Sequence, residues 1–148
     1  MKLIIAVIQP EELPAIKEEL LKSDNPSIIN ISSIAAVKGI GSSMAYASSK
    51  GALNTMTKSM ARNLGPIRVN AICPGFIQGD WLRKGLGDDL YNASLKNIET
   101  NTPLNLAVTS DQVADVIYLS LIHISEPTRR YAISYGVLWM EKKSGGGG

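Results

Sequence analysis

Two stretches decide how this chain is read: Ile28-Ile29-Asn30-Ile31-Ser32-Ser33 and, thirteen residues on from Ser33, Tyr46-Ala47-Ser48-Ser49-Lys50. The first is a short apolar run closing on two hydroxyl residues, the pattern of a buried strand that ends at a polar edge. The second lies in a helical pattern, where a spacing of four puts the phenol and the ammonium on one face. A free tyrosine has a pKa of about 10 and exchanges its proton poorly at neutral pH. A neighbouring cation favours the phenolate, which makes Tyr46 a usable general acid–base.

Working outward, the helical pattern runs over Met44–Leu64, with Leu53, Met56, Met60 and Leu64 as a core-facing stripe and Lys50, Asn54, Lys58 and Arg62 on another face. Gly65-Pro66 ends it. Ile67–Cys73 then reads as a strand that stops at Pro74-Gly75. Upstream, Lys2–Ile8 is a buried-strand pattern closed by Pro10. A helix pattern follows from Glu11 to Lys22, apolar at Leu13, Ile16 and Leu20 and broken by Ser23-Asp24-Asn25-Pro26. Downstream, Phe76–Thr109 is polar and rich in Gly and Asn, with little periodicity. Thr109 or Ser110 caps a last helix beginning near Asp111, with Val113, Val116 and Ile117 apolar. Strands alternating with helices predict an α/β fold with a parallel sheet.

Composition removes several classes. Cys73 is the single cysteine, which excludes an internal disulfide and a cysteine-rich metal site and suits a small buried hydrophobe. His123 is the single histidine, so neither a His-rich metal site nor a Ser-His-Asp triad has material to draw on. Residues 1–118 carry 11 Lys and Arg against 11 Asp and Glu. The net charge of +2 belongs to residues 119–148, which gives no basic face for nucleic acid. No apolar run approaches the roughly 18–20 residues of a membrane span. Leu3–Ile8 is too short for one and has no small-residue cleavage site, so the expectation is a cytoplasmic protein without a membrane partner.

Three ordered elements, Asn30-Ile31-Ser32-Ser33, Tyr46-Ala47-Ser48-Ser49-Lys50 and Arg68-Val69-Asn70-Ala71-Ile72-Cys73-Pro74-Gly75, together resemble the C-terminal half of the short-chain dehydrogenase/reductase family over about residues 25–118. The resemblance implies a partial doubly wound, Rossmann-like parallel sheet, truncated at both ends. It also implies transfer of hydride between NAD or NADP and a small alcohol or carbonyl substrate. Tyr46 would exchange the proton at the substrate oxygen. Lys50 would support Tyr46 and hold the nicotinamide ribose, and Ser33 would hydrogen-bond the reacting oxygen. Pro74, Gly75 and the backbone near Ile77 would lie against the nicotinamide. Many members carry Thr where this chain has Gly79, which weakens the carboxamide contact or moves it to Gln78. Phe76, Trp81 and Leu82 would wall a substrate lid. Intact members are usually homo-oligomers.

The chain also departs from the family. The Thr-Gly-x-x-x-Gly-x-Gly turn that cradles a pyrophosphate at a helix N-terminus has no counterpart, and Lys38-Gly39-Ile40-Gly41 falls after Ser33 instead of before it. The expectation is a fragment with impaired cofactor binding, inactive as it stands. Met1–Glu19 resembles the opening strand and helix of PII-type signalling proteins, which implies an effector-binding module as the alternative. Leu119–Arg129 resembles the translation of a transposase adapter from DNA sequencing libraries, which implies a chimeric origin. Three segments are therefore expected: a strand–helix unit over 1–24, the dehydrogenase half over 25–118, and an artefactual, disordered tail over 119–148.

Overall fold

The computed structural model describes residues 10–102, 104–122 and 137–139. Lys2–Ile8, His123 and Arg129-Arg130, and with them the first nine residues of the PII-like stretch and most of the adapter-like one, lie outside these residues. Pro10–Glu12 forms a 3-10 turn that leads into α1 (Leu13–Leu21), and β1 (Ser27–Ile31) follows. A four-residue helix α2 (Ala35–Lys38) precedes the long α3 (Met44–Asn63). After β2 (Arg68–Cys73) come β3 (Ile77–Gln78), α4 (Asp80–Leu86), α5 (Asp88–Asn101), β4 (Val108–Thr109), α6 (Ser110–Ile122) and β5 (Val137–Trp139).

The main sheet has the order β1-β2-β5, all parallel, with Ser27 opposite Arg68 and Ile31 opposite Ile72. β2 is central and buried from Val69 to Cys73, as a parallel strand covered on both faces should be. Ala61 of α3 packs with Ile67 and Val69, and Leu20, Ile28, Met60 and Leu64 close around them. The predicted α/β class is the observed one.

Three expectations are corrected. The sheet-facing stripe of α3 holds at Met60 and Leu64, which pack against the core cluster, and fails at Met56, which is 48% exposed, while Thr57 and Ala61 are buried. Lys50 and Asn54, assigned to another face, instead meet the sheet, through Ile31 and Cys73. Residues 76–109, read as weakly periodic, hold two helices. In α5, Tyr91, Leu95 and Ile98 at steps of four and three turn away from solvent. The tail beyond residue 118 is not wholly without structure. α6 continues to Ile122, Ser120 is fully buried, Arg68 Nη2 donates to the Leu121 carbonyl at 3.1 Å, and β5 pairs with β2. That position beside the helix end is half-buried, and burial pulls the pKa of the Arg68 guanidinium below its ordinary value.

α6 begins as the sequence predicts. Thr109 N donates to Gln112 Oε1 at 2.9 Å and Gln112 N donates to Thr109 Oγ1 at 3.3 Å, the reciprocal capping of a Thr-x-x-Gln start.

Candidate active site

Parallel strands all point their carboxyl ends to one edge, which is where an open α/β sheet receives ligands. Ser33 leaves β1 at that edge and Pro74 leaves β2 beside it. Ser32 N donates to the Ile72 carbonyl at 2.8 Å and Ile34 N to the Pro74 carbonyl at 2.9 Å, carrying the pairing past both strand ends. Ser33 is buried, and its Oγ accepts the Ala35 N–H at 3.2 Å at the mouth of α2. Its own O–H is then the group it can offer to an incoming oxygen.

Ser43 starts α3 by accepting the Tyr46 N–H at 3.1 Å, a serine N-cap in extended conformation. That cap places Tyr46 and Lys50 in the first two turns, with the Lys50 Nζ 5.9 Å from the centre of the Tyr46 ring, within the range of attraction between a cation and an aromatic face. The Lys50 ammonium also donates to the Ile31 carbonyl at 2.9 Å, so it is tied to the end of β1. Tyr46 remains 38% exposed. Gly41 closes the cluster from the other side: a Cβ there would lie 3.0 Å from the Ala35 Cβ and 3.4 Å from Cδ1 of Tyr46. Lys50 and Tyr46 therefore lie beside the carboxyl end of β1, the strand that Ser33 follows.

Pro74 is buried and Gly75 exposed at the end of β2, and Ile77 opens β3, half-buried and paired with Val108. The amide nitrogen of Gln78 is engaged by the Ala107 carbonyl at 2.6 Å, so it is not directed to a ligand carboxamide. Phe76 packs on Tyr91, ring centres 5.5 Å apart and tilted by 47°, while Trp81 is 85% exposed on α4. Phe76 thus packs against α5, and Trp81 is presented to solvent on α4.

A nicotinamide cofactor can be tested against these residues. The edge supplies what its ribose and ring need: donors at Lys50 and Tyr46, an open backbone at Gly75, and the apolar Pro74 and Ile77. The pyrophosphate end differs. Gly39 caps the C-terminus of α2 with φ of 67°, and Gly41 packs on Tyr46, so this glycine pair does not form a cradle at a helix N-terminus. Among the described residues no cluster of three or more His, Cys, Asp or Glu could hold a metal, and no helix is long and apolar enough to cross a membrane.

Pattern reading missed Ser32, Asn30 and Thr57, which join the sheet to α3. Ser32 Oγ donates to the Lys50 carbonyl at 3.2 Å and Asn30 Nδ2 donates to Thr57 Oγ1 at 2.9 Å. The available signal was the alternation Asn30-x-Ser32 on a strand facing polar residues at helical spacing.

Residues 13–122 match the family profile described as Enoyl-(Acyl carrier protein) reductase. The match takes in α1, and so begins before the boundary expected at residue 25. The granaticin polyketide synthase ketoacyl reductase 2 of Streptomyces violaceoruber is 34% identical over 110 residues, 74% of this chain and 43% of that protein. The 3-oxoacyl-(acyl-carrier-protein) reductase FabG of Chlamydia muridarum is 35% identical over 102 residues, 68% of this chain and 39% of that protein. The solved structure of ElxO with NADP bound is similar at a TM-score of 0.64 and 27% identity, covering 85% of this chain and 49% of that one. The chain spans less than half the length of each.

Proposed function

Because the chain belongs to the short-chain dehydrogenase/reductase family, we propose that its site serves NAD(P)-dependent interconversion of a small alcohol and the corresponding carbonyl compound. The observation that carries this reading is the convergence of Ser33, Tyr46 and Lys50 at the carboxyl end of β1, with Lys50 fixed to the Ile31 carbonyl at 2.9 Å. A bound nicotinamide supplies hydride to the carbonyl carbon, or takes it from the alcohol carbon.

This chain's residues manage the oxygen. In reduction, the Ser33 O–H donates to the carbonyl oxygen and holds it, with the hydroxyl itself steadied by the Ala35 N–H on one of its lone pairs. Tyr46 transfers its phenolic proton to that oxygen as the carbon gains hydride, so the product is a neutral alcohol and Tyr46 is left as phenolate. The Lys50 ammonium stabilises that anion and offers its remaining donors to the ribose hydroxyls. Oxidation runs the same steps in reverse. Pro74 and Ile77 shield one side of the nicotinamide position from water.

We further propose that these 148 residues bind the dinucleotide weakly, since no glycine turn of the family type occurs in them. Titration of the full chain with NADH and with NADPH, followed by cofactor fluorescence, tests this: saturation only above the millimolar range is expected. Micromolar saturation would overturn the proposed weakness, and Tyr46→Phe would then be expected to lower turnover by about 10²–10⁴-fold. Full turnover in Tyr46→Phe would sink the assignment of Tyr46 itself.

A further inference from the structure

The face that α3 turns to the sheet near the site is polar. Lys50, Asn54 and Thr57 fall at positions i, i+4 and i+7, one stripe of the helix. Each meets a partner on the strands beneath. Ser32 Oγ donates to the backbone carbonyl of Lys50 at 3.2 Å, Cys73 Sγ lies 3.7 Å from Asn54 Oδ1, and Asn30 Nδ2 donates to Thr57 Oγ1 at 2.9 Å. Thr57 Oγ1 in turn donates to the Leu53 carbonyl at 2.8 Å. Thr57 is fully buried and Ser32 is 4% exposed, so these are enclosed polar contacts.

An apolar stripe can slide or roll against a sheet by small amounts with little change in buried area, because the hydrophobic effect has no direction. Hydrogen bonds are directional and lose strength steeply with misalignment. The end of β1 and the two residues that follow it bear the partners Asn30 and Ser32, at alternate positions, and then Ser33. Its Ile31 carbonyl holds the Lys50 ammonium. A displacement of α3 along or about its axis would break several of these contacts together, and it would carry Tyr46 away from Ser33.

We propose that Ser32 and Thr57 are positioning residues, which fix the register of α3 on β1 and thereby the placement of Tyr46 and Lys50 relative to Ser33. The proposal deepens the functional reading above and rests on it for the meaning of that placement. Neither residue touches the reacting atoms. Ser32 acts on the helix at Lys50, and Thr57 acts two turns further along, through Asn30.

The test reads Tyr46 without substrate or cofactor, so a chain with no turnover leaves it intact. The full chain is prepared with tyrosine labelled by ¹³C at the ζ carbon, and the Tyr46 resonance is assigned by its loss in Tyr46→Phe. Ser32→Ala and Thr57→Val remove one hydroxyl each at nearly constant volume; Ser32→Thr and Thr57→Ser retain it. Each removal is expected to displace the Tyr46 resonance, and each hydroxyl-keeping variant to return it to the wild-type position, with circular dichroism showing folded chains throughout. If Thr57→Val does not fold, Asn30→Ala removes the same hydrogen bond from its less buried partner. A Tyr46 resonance unmoved in folded Ser32→Ala and in folded Thr57→Val or Asn30→Ala, even with a lowered urea midpoint, would overturn the proposal and leave the contacts a structural role alone. Failure of Ser32→Thr and Thr57→Ser to restore the signal would also overturn it.

Discussion

Gly41 is where the backbone most directly meets the chemistry. Its φ of 150° lies in a region side chains avoid, and its missing Cβ would press on Ala35 at 3.0 Å. Gly41→Ala is therefore expected to combine backbone strain with a contact that cannot relax without moving α2 or the Tyr46 ring. Gly39 supplies the control: it has φ of 67° but open space around a Cβ, so Gly39→Ala incurs the left-handed backbone cost alone, about 1–2 kcal/mol. Urea denaturation of the two variants should show the larger loss at Gly41, and equal losses would mean that the Ala35 contact is accommodated freely. At this scale the sequence was informative about side chains and mute about the loop. Ser33, Tyr46 and Lys50 are proposed from residue type and spacing, which a sequence displays. The role of Gly41 depends on a φ value and on a neighbour six residues away, neither of which a string of letters displays. The family resemblance leaves the carboxamide contact either weakened at Gly79 or moved to Gln78, and the Ala107 carbonyl engages the Gln78 amide instead.

Helix α3 shows why an element can be found easily and oriented wrongly. Its length was legible from the helical period and its end from Gly65-Pro66, but its inward face only at Met60 and Leu64. Apolar residues at steps of three and four were taken for the buried stripe, whereas the sheet offers Asn30 and Ser32 to the helix and so draws polar residues inward. Met60 belongs to the cluster with Ala61, Ile67 and Val69, and Met56 is 48% exposed. Met60→Ala should accordingly cost about 2–4 kcal/mol by loss of packed volume, and Met56→Ala no more than about 0.5 kcal/mol. Equal costs in equilibrium unfolding would indicate the orientation first read from the sequence. Helix α5 was overlooked for a related reason. Asp, Asn, Ser and Thr occupy half of its length, and its inward side chains, Tyr91, Leu95 and Ile98, are sparse enough that the stripe shows only once Phe76 is known to sit against Tyr91.

For the molecule as a whole, the alternation of strands and helices was enough to predict a parallel sheet, since that inference needs only order and period. Strand order could not be read, because it depends on which edges meet. Among the described residues β1 is paired on one side only, by β2, and Ile31 at its end is 43% exposed. An apolar strand edge is a template for pairing with other chains. Light scattering of the full chain should therefore show self-association that rises with concentration, and Ile31→Lys should reduce it; a monodisperse monomer at all concentrations would contradict this. The short β3–β4 ladder has a different bearing. Ile77 stands opposite Val108 and Gln78 opposite Thr109, so everything from residue 79 to residue 107 departs from and returns to one closed neck. The entropy of bringing those ends together is met at the neck and rises only slowly with the length between them. The segment between can therefore lengthen, shorten or be exchanged as a cassette while the edge bearing Ser33, Tyr46 and Lys50 stays fixed; under the proposed function, that layout would let one proton-transfer machine be refitted for substrates of different size.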